Sequence, residues 1–447
     1  MSMDGLYDLD AEVAVLGSVF LDPVIVDDVL EELAQGDFQA DRHGVVLDAM
    51  RQCASDSVTV NAVNVVAALR AHGTLERAGG EGAVESLDVY VPANGNWKAY
   101  AKIVRDFAVR RRLVAAATNA IADARDSTKK VQDVLGQVEQ SIQAVGERAT
   151  GRGPVRFRDA LNVEWKGIEE LYERGDKITG ITTGIASLDE MTAGLQRTHM
   201  IVLAGRPSMG KSALAFNIAV SAAMALKPDE GSVAAFSLEM GQTDLVRRIL
   251  SSEARVSGNR FRSGQFLEAD WPKMANACQR IVGMPLWLDT REALSIHDIR
   301  SALRRIKARD KRVALVVIDY LQIMRPDDDA ENRTQEVTQL AVGAKRLAKE
   351  FDCPVLALSQ LNRGLEQRAD KRPMMSDLRE SGAIEQEADV CAFVYRDDYY
   401  NKDSPDAGIS EVIIGKQRGG PTGTVRVAFD KEFTLFRDLP EGNRGGF

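Results

Sequence analysis

At 447 residues the chain is longer than one hydrophobic core usually organises, so two domains are expected. A hydrophobic share of 45% beside 28% charged residues is that of an ordinary soluble globular protein. There is no apolar stretch long enough to span a bilayer, and the acidic start lacks a signal peptide's basic and apolar regions, so a cytoplasmic protein without membrane contact is expected. A net charge of −9 excludes a protein that coats nucleic acid over its whole surface, but not DNA held in a local basic channel.

The first third reads as helical. Asp22 and Pro23 are an N-cap with proline at N1, and Val26, Val29, Leu30 and Leu33 follow at helical spacing. A later helix carries Tyr100, Ile103, Val104 and Phe107 on one face and ends in the basic run Arg110, Arg111 and Arg112. Another, near 130–147, aligns Val131, Val134, Leu135, Val138 and Ile142, and core packing is expected for all these stripes. Gly151, Gly153 and Pro154 then break the chain, and a short helix around Leu161–Tyr172 is expected. These signals give an all-α domain over 1–149, a linker with one helix over 150–182, and a further domain over 183–447.

In that last part, short apolar runs (Met200–Ala204, Val233–Leu238, Val313–Ile318, Val355–Leu358, Val390–Tyr395, Glu411–Ile414) alternate with helical patterns such as 334–350. The alternation predicts an α/β fold with a mostly parallel sheet and helices on both faces. Cys53, Cys278, Cys353 and Cys391 show no CxxC spacing and are expected to be free, mostly buried thiols. His43, His72, His199 and His297 are scattered and suggest no metal cluster.

Gly205, Arg206, Pro207, Ser208, Met209, Gly210, Lys211 and Ser212 fit G-x-x-x-x-G-K-[ST]. They follow an apolar strand and open the apolar helix that begins at Ala213, the context this phosphate-binding loop requires. Backbone N–H groups would cradle the phosphates of ATP, Lys211 would reach the β- and γ-phosphates, and Ser212 would coordinate Mg²⁺. Asp319, closing the run Val313–Ile318, is suited to the same metal shell. Glu239 and Gln360 also follow apolar runs, where open α/β sheets bind ligands. Glu239 could act as general base and Gln360 could sense the γ-phosphate, though each taken singly fits an ordinary surface role as well.

Lys416 and Arg418 stand at alternate positions after a strand. They are either an exposed basic loop or an arginine finger for a neighbouring subunit's ATP. Arg363, Arg368, Lys371, Arg372 and Arg379, with Gly382, form a basic glycine-containing loop. With few aromatics beside it, phosphate contact to DNA fits better than base stacking.

The chain resembles bacterial and phage replicative helicases of the DnaB family. The likeness lies in Thr182–Asp189 with Gly194–Gln196, Arg206–Ser212, Phe236–Met240, Val317–Gln322, Leu358–Arg363, Asp377–Gln386, Lys416–Arg418 and Gly423–Val425. It extends, less specifically, to Ala11-Glu12, Val15–Gly17, Pro92–Asn94 and Tyr100–Arg105. It implies a RecA-like motor, a homohexameric ring on single-stranded DNA moving 5′ to 3′, ATP sites between subunits, and a helical collar that engages primase, with a helicase loader as a further partner. It also implies Glu239 as catalytic carboxylate, Gln360 as the link to the DNA loops, Lys416 and Arg418 acting on the adjacent ATP, and Arg379, Glu380 and Gly382 in the DNA-contacting loop. Glu380 would there orient Arg379 or an amide, since a carboxylate repels phosphate. Gly205 and Ser212 depart from the alanine and threonine of many relatives, with the loop's chemistry kept. A RecA-type recombinase or DNA-dependent regulatory ATPase would share Lys211, Glu239 and Asp319. A non-unwinding, ATP-gated assembly factor is the other alternative.

Overall fold

Asp8 accepts a hydrogen bond from the Ala11 amide and so opens the first helix, Leu9–Leu21. It belongs to the first of two units, Met1–Trp165 and Lys166–Phe447. The computed structural model describes residues 5–89, 91, 96–129, 131–149, 157–174, 178–326 and 332–440.

In the first unit the Asp22 cap holds a 3-10 turn, Pro23–Ile25, which leads into the helix Val26–Glu32. Val15, Leu16, Leu47, Met50, Val65, Leu69 and Val104 close the core. Inside it the buried Glu12 carboxylate accepts from the amides of Gln39 and Ala40 and meets His43 Nδ1 at 2.7 Å, so its desolvation is offset.

Two expectations change here. The helix bearing the basic run is Trp97–Arg125, far longer than a stop at Arg112 would give. Leu113–Ala117 continues with good helix formers, and the arginines serve as anchors: Arg111 donates to the carbonyls of Leu6 and Asp37, and Arg112 pairs with the Asp37 carboxylate. Its buried side chains are Ala101, Val104 and Ala108, while Ile103 is exposed. Second, Val131, Leu135 and Ile142 on the helix Val131–Ala149 are exposed rather than packed in a core. That helix lies along Trp97–Arg125, outside the cluster formed by the earlier helices.

The helix expected around Leu161–Tyr172 spans Phe157–Arg174, and the division between the units falls within it. The second unit holds one nine-stranded sheet. Its strands are β1 (Met200–Gly205), β2 (Ser232–Ser237), β3 (Leu286–Asp289), β4 (Val313–Asp319), β5 (Val355–Gln360), β6 (Val390–Tyr395), β7 (Ile409–Gln417), β8 (Gly423–Asp430) and β9 (Leu435–Asp438). They lie in the order β3-β2-β4-β5-β1-β6-β7-β8-β9. The run β3 to β6 is parallel, and β7, β8 and β9 continue it antiparallel.

The apolar runs are continuous because both faces are covered. Met200, Val202 and Ala204 face one core with Leu303, Leu340 and Leu347; Ile201 and Leu203 face the other with Leu214, Phe216 and Leu245. Burying each such leucine contributes about 1.5–3 kcal/mol. Strands β3, β8 and β9 were not among the sequence expectations. Cys53, Cys353 and Cys391 are buried and free, whereas Cys278 is exposed. Among the described residues no helix is long and apolar enough to cross a membrane.

Candidate active site

The phosphate-binding loop leaves β1 and turns twice through positive φ, at Ser208 (68°) and Gly210 (96°), before the helix Lys211–Ala225 begins. A Cβ at Gly210 would lie 2.9 Å from the Phe436 ring of β9, so glycine is required both by φ and by space. The first-turn amides of Lys211, Ser212 and Ala213 have no partner within the helix and carry its positive end.

These residues line a cleft of about 530 Å³ together with Glu239, Tyr320 and Gln360. Parallel strands bring them together: β1, β2, β4 and β5 all point their carboxyl ends there. Lys211 Nζ lies 3.4 Å from the Ser359 carbonyl and 4.6 Å from the centre of the Tyr320 ring. Burial lowers its pKa, and the charges of Asp319 and Glu239 oppose that shift. Asp319 is fully buried and neither carboxylate oxygen has a hydrogen-bond partner. Burial raises its pKa; the charge of Lys211 and the Ser212 hydroxyl, which lies close by but outside hydrogen-bonding geometry, pull the other way. Gln360 is held from behind: the Gln322 amide donates to Ser359 Oγ at 2.7 Å and accepts from the Gln360 amide at 3.3 Å.

Arg206 is placed differently from the loop's other members. Its guanidinium is buried and engaged, by Glu366 at 2.7 Å and the Leu361 carbonyl at 3.0 Å. Lys416 and Arg418 do not line this cleft. They sit at the end of β7, where Lys416 Nζ donates to the Glu385 carbonyl at 2.5 Å and Arg418 to that of Gln386 at 2.6 Å. These carbonyls belong to the short helix Gly382–Glu387, which directly follows the 3-10 turn Met375–Ser381.

The stretch expected as a basic loop is therefore structured. Arg368 pairs with Asp377, Arg372 forks onto Glu411 and lies over the Tyr395 ring, and Lys371 lies over Tyr400. Arg379 and Glu380 lie on the 3-10 turn and Gly382 opens the helix; the side chains of Arg363, Arg379 and Glu380 fall outside the described residues.

A family described as the DnaB-like helicase C terminal domain matches residues 180–438, and the DnaB-like helicase N terminal domain matches 5–106. The chain belongs to the DnaB-like helicase family. It is 42% identical to the replicative DNA helicase DnaB of Geobacillus stearothermophilus, over 96% of this chain and 94% of that one. A solved structure described as a DnaB-like replicative helicase and its interactions with primase is 32% identical, with a TM-score of 0.69, over 97% of this chain and all of that one. A second solved structure, described as an ATPase domain, is 39% identical, with a TM-score of 0.59, over 63% of this chain and 99% of that one. The family's enzyme class, the ATP-dependent replicative DNA helicase, is this chain's class, and its motor has the RecA-like sheet expected.

The sequence expectations missed part of the wall. Arg248, Arg396, Phe429, Lys431 and Thr434 line the cleft as well. Arg396 forks onto Asp398 and lies 4.5 Å from the centre of the Phe429 ring. Val425, Val427 and Phe429 alternate as the buried residues of β8, and that alternation is a signal by which this part of the wall could be found in the sequence.

Proposed function

We propose that six copies of the chain form a ring that hydrolyses ATP, moves 5′ to 3′ along single-stranded DNA and unwinds duplex at a replication fork. The supporting observation is an incomplete cleft. Lys211, Ser212, Glu239 and Gln360 line it, with the buried Asp319 close to Ser212 and Lys211, while Lys416 and Arg418 stand away from them at the end of β7. An adjacent copy's Lys416 and Arg418 would complete the site, with an arginine finger contributing 10³–10⁵ in rate, about 4–7 kcal/mol.

In this site the first-turn amides and Lys211 neutralise the phosphate oxygens. Glu239 takes the proton of the attacking water, and Gln360, its backbone fixed by Gln322, meets the terminal phosphate. Ser212 and Asp319 would hold Mg²⁺, which supplies charge neutralisation; the two unpartnered Asp319 oxygens fit a cation. Phosphate oxygens and water would complete such a shell, since Mg²⁺ in nucleotide sites takes few protein ligands. The Arg396–Phe429 wall would receive the nucleoside.

Arg379, Glu380 and Gly382 would face the DNA backbone. The collar is assigned to residues 1–149, the linker to 150–182 and the motor to 183–447. The collar is proposed to engage a primase, in keeping with the solved relative studied with primase, and a helicase loader to place the ring on DNA in the cytoplasm. Strand displacement on forks bearing a 5′ or a 3′ tail, with and without ATP, tests motor and polarity together. Displacement only with ATP and a 5′ tail is expected; ATP-independent displacement, or a 3′ preference, overturns the assignment.

A further inference from the structure

Arg206 belongs to the phosphate-binding loop, yet its guanidinium is turned to the chain beyond β5. Its Nε and Nη2 lie on Glu366 Oε1, at 2.9 and 2.7 Å, and its Nη1 donates to the Leu361 carbonyl at 3.0 Å. Leu361 is the residue after Gln360, and Glu366 lies in the 3-10 turn Arg363–Gln367 that follows. Gln360 is thus gripped from two sides: Gln322 holds its amide at 3.3 Å, and Arg206 holds the next carbonyl. The loop itself needs no arginine here, since G-x-x-x-x-G-K-[ST] leaves the position open. Nor does stability explain it. Arg206 is buried, which costs desolvation, and its pair with the half-exposed Glu366 returns little. What the pair fixes is the distance between the phosphate loop and Gln360.

We propose, resting on the reading of this cleft as the hydrolytic site, that Arg206 and Glu366 are positioning residues that clamp the chain after β5 to the phosphate loop and so set Gln360 against the terminal phosphate. Glu366 acts through Arg206: it occupies Nε and Nη2 and leaves Nη1 aimed at the Leu361 carbonyl. Arg206 fixes that peptide, and Gln322 fixes the one before it. A side chain on a main chain held at both ends reaches the same point at each turnover. One on a loose strand end does not, and a misplacement of about 1 Å can cost on the order of 10²-fold in rate. The nucleotide is held by the first-turn amides and Lys211, which the clamp does not touch. Rate and affinity are therefore expected to separate when the clamp is opened.

The test uses the full chain with single-stranded DNA and the variants Glu366→Ala, Glu366→Gln, Gln360→Ala, and Gln360→Ala combined with each Glu366 variant. Readouts are kcat and KM for ATP and Kd for ADP. Glu366→Ala is expected to lower kcat about 10-fold with KM and ADP affinity kept, and Glu366→Gln, which keeps an acceptor without the charge, to lower it less. Because Glu366 works only through Gln360, the double variants are expected to turn over no more slowly than Gln360→Ala alone. Losses that multiply overturn the clamp, since a general weakening of the fold would act on either background. An unchanged kcat in Glu366→Ala, or a raised KM with kcat kept, overturns it as well. If Glu366→Ala does not assemble, Glu366→Gln decides by the same comparison with Gln360→Ala. Lys211→Ala is run alongside. Wild-type turnover there removes the hydrolytic reading and the clamp with it, whereas multiplying losses beside an inactive Lys211→Ala remove the clamp alone.

Discussion

Arg418 donates to the carbonyl of Gln386 at 2.6 Å, so this cation is held by the end of the helix Gly382–Glu387 that follows Arg379 and Glu380. Lys416 holds the neighbouring carbonyl of Glu385 in the same way. If both reach across to a second subunit's nucleotide, those carbonyls lose their donors, and the segment proposed to touch DNA responds to ATP next door.

The first consequence concerns Arg418→Ala. The variant is expected to assemble and bind nucleotide but to hydrolyse it about 10³-fold or more slowly. Mixing it with Glu239→Ala subunits is expected to recover some ATPase activity, since some mixed interfaces regain both groups. Confirmed subunit mixing with no recovery would count against action across the interface.

Lys211→Ala is expected to abolish hydrolysis while leaving the melting temperature close to that of the wild-type chain. The side chain faces the cleft, and its contacts are one carbonyl and one ring rather than the core. Circular dichroism melts beside ATPase assays check both halves; a collapsed fold would place Lys211 in a structural role instead.

The buried pair Lys345–Asp389 bears on stability. Asp389 accepts from Lys345 Nζ at 2.5 Å and from the Met200 amide at 2.8 Å, and Lys345 also donates to the Thr198 carbonyl. Lys345→Ala is expected to cost about 3 kcal/mol, since it takes the nearer cation from a buried carboxylate and leaves only Arg418, at 3.5 Å, as its counter-ion. Burial pushes the Asp389 carboxyl up, but the hydrogen bonds from Lys345 and Met200 and the charges of Lys345 and His199 outweigh it, so its pKa lies below the ordinary 3.8. A carboxyl depressed in the fold stabilises fully above its unfolded value and loses that contribution as pH falls through its folded value. Urea unfolding between about pH 5 and pH 2 is therefore expected to show a steeper loss for the wild-type chain than for Asp389→Asn. Superimposable slopes would contradict it.

For Arg379→Ala, weaker single-strand binding is expected, with the slope of log affinity against log salt shallower by about 1. Titrations at several salt concentrations check this; an unchanged slope would move the phosphate contact elsewhere.

The primary structure alone carried the phosphate-binding loop, the apolar strands behind Glu239, Asp319 and Gln360, and the change from helical to alternating texture. Those signals are local: a glycine where φ must be positive, a run of β-formers covered on both faces, a cation at a helix start. Helix ends were less legible. Arg110–Arg112 looks like a basic stop signal, and only the partners Leu6 and Asp37 show why the helix runs on to Arg125. The apolar stripe at Val131, Leu135 and Ile142 carries a helical period whether or not a core covers it.

What only the tertiary structure decided is proximity. Arg248, Arg396 and Phe429 reach the cleft because the order β2-β4-β5-β1-β6-β7-β8 sets distant segments side by side, and no spacing along the chain encodes that order. The same order leaves Arg418 on the Gln386 carbonyl instead of in the cleft. Periodicity dictates which face of an element is buried; which elements meet is settled by the packing of the whole sheet, a sum over many weak contacts that no single motif contains.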